Sequence, residues 1–214
     1  MGRVRPPGPT AVLAIEGLAR RFGTREVVRS LTLELPPGRR VALRGPNGSG
    51  KTTILRCVAG TLAPTAGTVR VAGRDAGSIE ARRLVGASFA QERSFYLRLT
   101  GRENLLFYAR LRSSSERAAH ANVDALAEEL EIADFLSRRA SRYSTGMMQQ
   151  LGFARALLGS PSLLLLDEPT RSLDEDAGSR LWGALDRRPE SAVLIATHRR
   201  SDVEHCDDEL RLPS

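Results

Sequence analysis

The chain has 214 residues, 41% of them hydrophobic, and a formal net charge of +7; it is long enough to bury a full core and reads as one globular domain with at most a subdomain attached. No run approaches the roughly 18 to 20 apolar residues a membrane-spanning helix needs, which excludes a spanning segment; the two cysteines, Cys57 and Cys206, lack metal-ligand spacing and fit reduced thiols in a cytosol. The arginines are scattered among acidic residues rather than gathered in a block, so the charge reads as a solvated surface with room for an anionic lipid or a basic interface, and nucleic acid is not expected as a partner.

Residues 1–10 are Pro-rich, lack the apolar core of a signal peptide and read as a disordered tail. Alternating apolar and polar residues then predict short strands at Val12-Leu13-Ala14-Ile15-Glu16, Leu31-Thr32-Leu33-Glu34-Leu35 and Thr68-Val69-Arg70-Val71. Between the second and third of these, Arg40-Val41-Ala42-Leu43-Arg44 reads as a strand and Thr53-Ile54-Leu55-Arg56-Cys57-Val58-Ala59 as a helix. They enclose Gly45-Pro46-Asn47-Gly48-Ser49-Gly50-Lys51-Thr52, a complete match to G-x-x-x-x-G-K-S/T.

Lys51 is the single lysine among 32 basic residues. A compact ammonium on a flexible stem reaches phosphate oxygens from inside a tight glycine loop, where a planar guanidinium would not fit. Gly45, Gly48 and Gly50 let successive N–H groups turn inward as an anion nest, Thr52 offers a hydroxyl to Mg²⁺, and the helix that follows, beginning at about Thr53, points its positive end at the phosphates. The segment is a nucleotide-phosphate site.

From about Thr100 to Leu158 the apolar period becomes helical, with Leu105, Leu106, Ala109 and Leu111, then Val123, Leu126, Ala127 and Leu130, separated by Ser113-Ser114-Ser115-Glu116 as linker and cap. The run Ser162-Leu163-Leu164-Leu165-Leu166-Asp167-Glu168-Pro169 reads as a buried parallel strand that delivers two acids at its C-terminal end, where open α/β sheets bind ligands. Asp167 there can serve Mg²⁺ and Glu168 can face an attacking water. Ala192-Val193-Leu194-Ile195-Ala196-Thr197-His198 repeats the pattern and places His198 for a γ-phosphate contact. By themselves these features indicate a broad NTPase class.

From about Val12 to Leu212 the sequence resembles the nucleotide-binding subunits of ABC transporters. Gln91 stands at that family's Q-loop, Tyr143-Ser144-Thr145-Gly146-Met147 at the LSGGQ-type signature, Ser172-Leu173-Asp174 at the D-loop and His198 at the switch histidine. The resemblance implies an α/β fold, a P-loop NTPase (RecA-like) core over 11–214 with a small antiparallel β subdomain and an α-helical signature subdomain inserted at about 95–158. It implies ATP and Mg²⁺ as ligands, with Phe22, in place of the usual tyrosine, stacked on adenine, the loop Gly45, Pro46, Asn47, Gly48, Ser49, Gly50, Lys51, Thr52 and Thr53 on the phosphates, Gln91 with Thr52 and Asp167 at the metal, and Glu168 as base or water polariser. Ser144 and Gly146 would act in trans across a head-to-tail homodimer, or a heterodimer with another ABC ATPase. In one chain the helical insert would lie away from its own phosphate loop.

The Ser-x-Gly-Met variant of the signature and the stretch Gln91 to Leu105 are similar to the ABC-2-type exporter group, and from the short tail after His198 the regulatory domain of many importer ATPases is not expected. A peripheral ATPase on the cytoplasmic face of a membrane, energising a separate integral-membrane permease for export, is therefore expected, with Phe95 and Tyr96 as candidates for the groove that receives a permease helix or, equally, for the core of the helical insert. A soluble ABC-type mechanochemical ATPase acting on ribosome or DNA is the alternative. A short haem-exporter-like subunit is resembled in length more than in signature. The cargo is not written in this chain.

Overall fold

The computed structural model describes residues 11–89 and 94–213. The tail over 1–10 and Gln91 lie outside the described residues. Contacts divide the chain into two compact units, one built from 11–85, 162–168 and 190–213, the other from 86–161 and 169–189. Among the described residues no helix is long and apolar enough to cross a membrane.

In the first unit, strands β1 (Leu13–Phe22), β2 (Arg25–Leu35), β4 (Ala66–Val71) and β5 (Arg74–Asp75) form an antiparallel sheet in the order β2-β1-β4-β5. Sequence alternation marks only part of β1 and β2. Their pairing slips at bulges between Ile15 and Leu18 and again before Arg20 and Arg21, with Gly17 at φ 58° and Ser30 at φ 43°. Each inserted residue switches the inward face, so one long strand reads in sequence as a short one followed by noise.

The second sheet of this unit carries β3 (Arg40–Arg44), β7 (Leu163–Asp167), β8 (Ala192–Thr197) and β9 (Asp208–Arg211) in the order β7-β8-β3-β9. Its ladders are parallel, with Val41 opposite Leu194 and Leu165 opposite the same leucine. Every residue of β7 and β8 is buried, which is why both strands read as unbroken apolar runs instead of alternating. Helix α1 (Lys51–Val58) packs against β7 and β8 through its buried face of Ile54, Leu55, Cys57 and Val58. Helices α2 (Ile79–Arg83) and α8 (Arg200–Val203) complete the unit.

The second unit is mainly helical: the short strand β6 (Val85–Ser88) leads into it, followed by α3 (Gly101–Arg110), α4 (Glu116–Glu129), α5 (Ala133–Leu136), α6 (Thr145–Leu157) and α7 (Glu175–Asp186). Caps fix the helix starts. Thr100 and Glu103 form a reciprocal capping box on α3, Ser115 caps α4 and Asp174 caps α7. Leu105, Leu106, Ala109, Val123, Leu126 and Ala127 are buried as their spacing predicts, whereas Leu111 falls at the C-cap of α3 and is 66% exposed. The helix ends there, and the 3.6-residue period no longer decides where a side chain points.

Candidate active site

The phosphate loop leaves β3 and enters α1 through backbone that only glycine adopts without strain. Gly48 sits at φ 86° and Gly50 at φ 92°. A Cβ on Gly50 would lie 2.8 Å from the Val27 carbonyl oxygen, and one on Gly45 would lie 2.6 Å from Ser49 Oγ. The chain therefore closes tightly at both ends of the loop. Gly50 caps α1 with no side-chain hydrogen bond, so the first N–H groups of an eight-residue helix have no capping side chain to satisfy them.

Lys51 is buried and folded back over this loop, its Nζ donating to the carbonyl oxygens of Gly45 at 2.6 Å and Pro46 at 3.0 Å. Thr52 Oγ1 donates to Asp167 Oδ2 at 2.8 Å, joining the loop to the acid at the end of β7. Beside Asp167, Glu168 holds a left-handed backbone, φ 51°, rare for a residue with a side chain and costly enough that its surroundings must enforce it. Its N–H donates to the Ala196 carbonyl of β8 at 2.7 Å, and its carboxylate Oε1 is 2.8 Å from His198 Nδ1. Glu168 is buried while His198 is exposed. An open groove of about 520 Å³ borders this cluster, lined by Arg44, Gly45, Pro46, His198, Arg211 and Leu212.

Sequence-distant residues Lys51, Thr52, Asp167, Glu168 and His198 thus meet in one unit, at the C-terminal ends of three parallel strands. Phe22 ends β1 in the same unit, 46% exposed, with the Arg20 guanidinium 4.5 Å from its ring centroid. That exposure sets it apart from a core phenylalanine and leaves an aromatic surface for stacking.

The fit to a triphosphate rests on two observations. Ser49 Oγ is buried without a hydrogen-bond partner among the described residues, so an acceptor or donor is owed to it; and added side-chain bulk at Gly45 or Gly50 would fill the cradle. A hard divalent cation fits too, since Thr52 Oγ1 and Asp167 Oδ2 are adjacent oxygen donors of the kind Mg²⁺ takes alongside substrate phosphates.

In the second unit Ser144 caps α6, its Oγ accepting from the Met147 N–H at 3.2 Å, and it stays exposed to solvent. Tyr143, just before it, donates its hydroxyl to the Phe135 carbonyl at 2.9 Å, and burial pushes that phenol's pKa up to about 12. Gly146 needs its missing side chain: a Cβ there would be 2.6 Å from the Ser172 carbonyl oxygen. Gln149 donates to the Pro169 carbonyl and accepts from the Ser172 N–H, so the signature helix and the loop before Asp174 are tied together.

Phe95 and Tyr96 part company. Phe95 is 6% exposed, 6.2 Å edge-on from the Tyr108 ring, with the Arg155 guanidinium 5.2 Å from its centroid. Tyr96 is 51% exposed and rests edge-on against the exposed Phe107 at 5.3 Å. Composition cannot separate two adjacent aromatics. Nor does the sequence single out Thr197 and Asp202, which are hydrogen-bonded to each other next to His198; a hydroxyl before the histidine and an acid four residues after it were the available signal.

The ABC transporter family profile matches residues 28–171. The chain is 35% identical over 202 residues to the uncharacterized ABC transporter ATP-binding protein YdbJ of Bacillus subtilis, covering 92% of this chain and 64% of that protein. It is 35% identical to the Nod factor export ATP-binding protein I of Burkholderia lata, covering 94% of this chain and 67% of that one. A solved ATP-binding subunit of an ABC transporter superposes with a TM-score of 0.86 at 26% identity, over 94% of this chain and 85% of the other. The chain spans less than two thirds of YdbJ's length. With phosphate loop, acidic strand end, histidine and capped α6 in place, the chain belongs to the ABC transporter family.

Proposed function

We propose that this chain binds and hydrolyses ATP and couples that reaction to a separate membrane permease, in the export direction. The observation that carries the reading is the junction of Thr52 with Asp167 and of Glu168 with His198 beside a loop whose Ser49 hydroxyl lacks a partner.

The residues divide the work. Lys51 exchanges its two loop carbonyls for β- and γ-phosphate oxygens, and the backbone N–H groups of Gly48 through Thr53 receive the remaining charge. Thr52 and Asp167, with Gln91, would hold Mg²⁺, which would supply neutralisation of the phosphate charge. Glu168 accepts the proton of the attacking water, and His198 orients that carboxylate through its Nδ1 contact and, with a proton on its other nitrogen as well, donates to the γ-phosphate. Phe22 stacks on the adenine. Ser144 and the N–H groups at the start of α6 complete a second copy's site, so ATP holds the two copies together until its terminal phosphate is cleaved.

Exposed Tyr96 and Phe107 make the surface for a permease helix on the cytoplasmic face of the membrane. Export as the direction is supported by the Ser-x-Gly-Met signature and by the Nod factor export relative. The matched relatives are transporter subunits, which does not favour the alternative of a ribosome- or DNA-acting ATPase. The test is phosphate release from Mg-ATP by the purified chain: wild type turns over and Lys51→Ala does not. Equal rates for the two would remove the reading.

A further inference from the structure

Thr197 and Asp202 are both 0% exposed, so neither side chain lies open to a ligand. Thr197 ends β8 and His198 follows it. The Thr197 hydroxyl donates to Asp202 Oδ2 at 2.6 Å and accepts from the Arg199 N–H at 3.0 Å. One oxygen therefore binds the backbone on the far side of His198 and is itself anchored to α8. The resulting turn has His198 at its middle residue, a local side-chain closure that threonine makes well.

The anchor is an unusual choice. A buried carboxylate gives up its hydration, and an apolar pair of similar volume commonly serves stability as well or better. A four-residue helix such as α8 has no stability of its own to spare. What the Thr197–Asp202 bond does supply is direction: it fixes where the chain turns after β8. The neighbouring residue of the same strand completes the arrangement, because the Ala196 carbonyl accepts from the Glu168 N–H at 2.7 Å. The end of β8 thus sets the backbone of Glu168 through Ala196 and that of His198 through Thr197. Their side chains then meet at 2.8 Å.

We infer that Thr197 and Asp202 are positioning residues, a buried strap that holds the His198 imidazole with its Nδ1–H toward Glu168. Neither touches the nucleotide. The kinetic arm of this inference rests on the proposed ATPase reading; the geometric arm does not.

The test follows the proton on His198 by long-range ¹H–¹⁵N correlation spectra of the full chain, with His198→Gln assigning its signals apart from those of His120 and His205. Wild type shows the Nδ1–H tautomer. Thr197→Val moves His198 toward the Nε2–H form and lowers kcat for ATP by roughly 10- to 100-fold, the scale of a small misplacement at a reacting centre, while KM for ATP stays within about twofold, as for a contact that acts only at the transition state. Thr197→Ser keeps the hydroxyl and restores both. Because Thr197→Val leaves a buried carboxylate short of a partner, the double variant Thr197→Val with Asp202→Leu is measured beside it. Replacing the carboxylate together with the hydroxyl removes the buried unpaired acid; a cooperative melt checks that this variant folds, and it shows the same displaced tautomer and the same loss of kcat. A wild-type tautomer and kcat in the double variant overturn the strap, as does failure of Thr197→Ser to rescue or a wild-type His198 protonated on Nε2 alone. A wild type that hydrolyses no ATP instead removes the ATPase reading and leaves the spectra to decide the strap.

Discussion

A buried glutamate in a left-handed backbone is an expensive residue, and Glu168 keeps that conformation because its N–H is held by β8 and its carboxylate by His198. If its task is to take a proton from water, Glu168→Gln preserves size and ATP binding and lowers turnover by about 10²- to 10⁴-fold, the usual contribution of a positioned base; single-turnover assays with parallel ATP titration measure the two separately. Lys51→Ala does the reverse in kind, weakening ATP binding by roughly 10- to 100-fold, as loss of a charge-assisted hydrogen bond requires. Calorimetric titration checks it, and unchanged affinity would remove Lys51 from the phosphates. Gly50→Ala places a Cβ 2.8 Å from the Val27 carbonyl oxygen at φ 92°. It is expected to cost at least about 1–2 kcal/mol from backbone handedness alone, read as a lowered melting temperature.

Between elements, a three-bond polar tie in the second unit joins the ends of α4 and α7. Glu129 accepts from Arg188 at 2.6 and 2.8 Å and from Arg187 at 2.9 Å. The Arg188 hydrogen bonds, ahead of those from Arg187, hold its carboxyl below the usual carboxylate range despite partial burial. A depressed acid stabilises the fold at pH above its unfolded value and loses that contribution as pH falls through the folded one. Glu129→Gln is therefore expected to lower stability near neutral pH by about 1 kcal/mol, a modest figure because the pair is only partly buried. The difference from wild type vanishes in strong acid, where both chains carry a neutral group. Urea melts at the two pH values decide this, and a pH-independent difference would refute it. The same unit shows why a helix stripe is readable while its last residue is not: Leu105 and Ala109 lie on the inward face, and Leu111, past the end, does not.

At the scale of the whole molecule, the signature helix and the phosphate loop belong to different compact units of the chain. The proposed dimer uses the α6 end of one copy to close the site of another, so a variant that binds ATP without cleaving it should accumulate as a dimer. Light scattering of Glu168→Gln with Mg-ATP is expected to give twice the monomer mass and to return to monomer when nucleotide is removed. Only monomer in the presence of bound Mg-ATP would argue against the composite site.

The parts of the protein that depend on neighbouring residues were legible before any fold was known. The phosphate loop declares itself because its chemistry needs glycine, lysine and threonine at fixed spacing, and β7 and β8 do so because a parallel strand covered on both faces has no polar side to show. The cap read in Ser113-Ser114-Ser115-Glu116, which Ser115 supplies to α4, is equally local. Tertiary structure decided what locality cannot. It extended β1 and β2 through bulges that reset the alternation, separated buried Phe95 from exposed Tyr96, and brought Thr52 to Asp167 across 115 positions of chain. The strap of Thr197 and Asp202 behind His198 belongs with these in part. The two residues are only five positions apart, so their pairing is local; that it is buried, and that its turn brings His198 to Glu168, is decided by the assembled sheet.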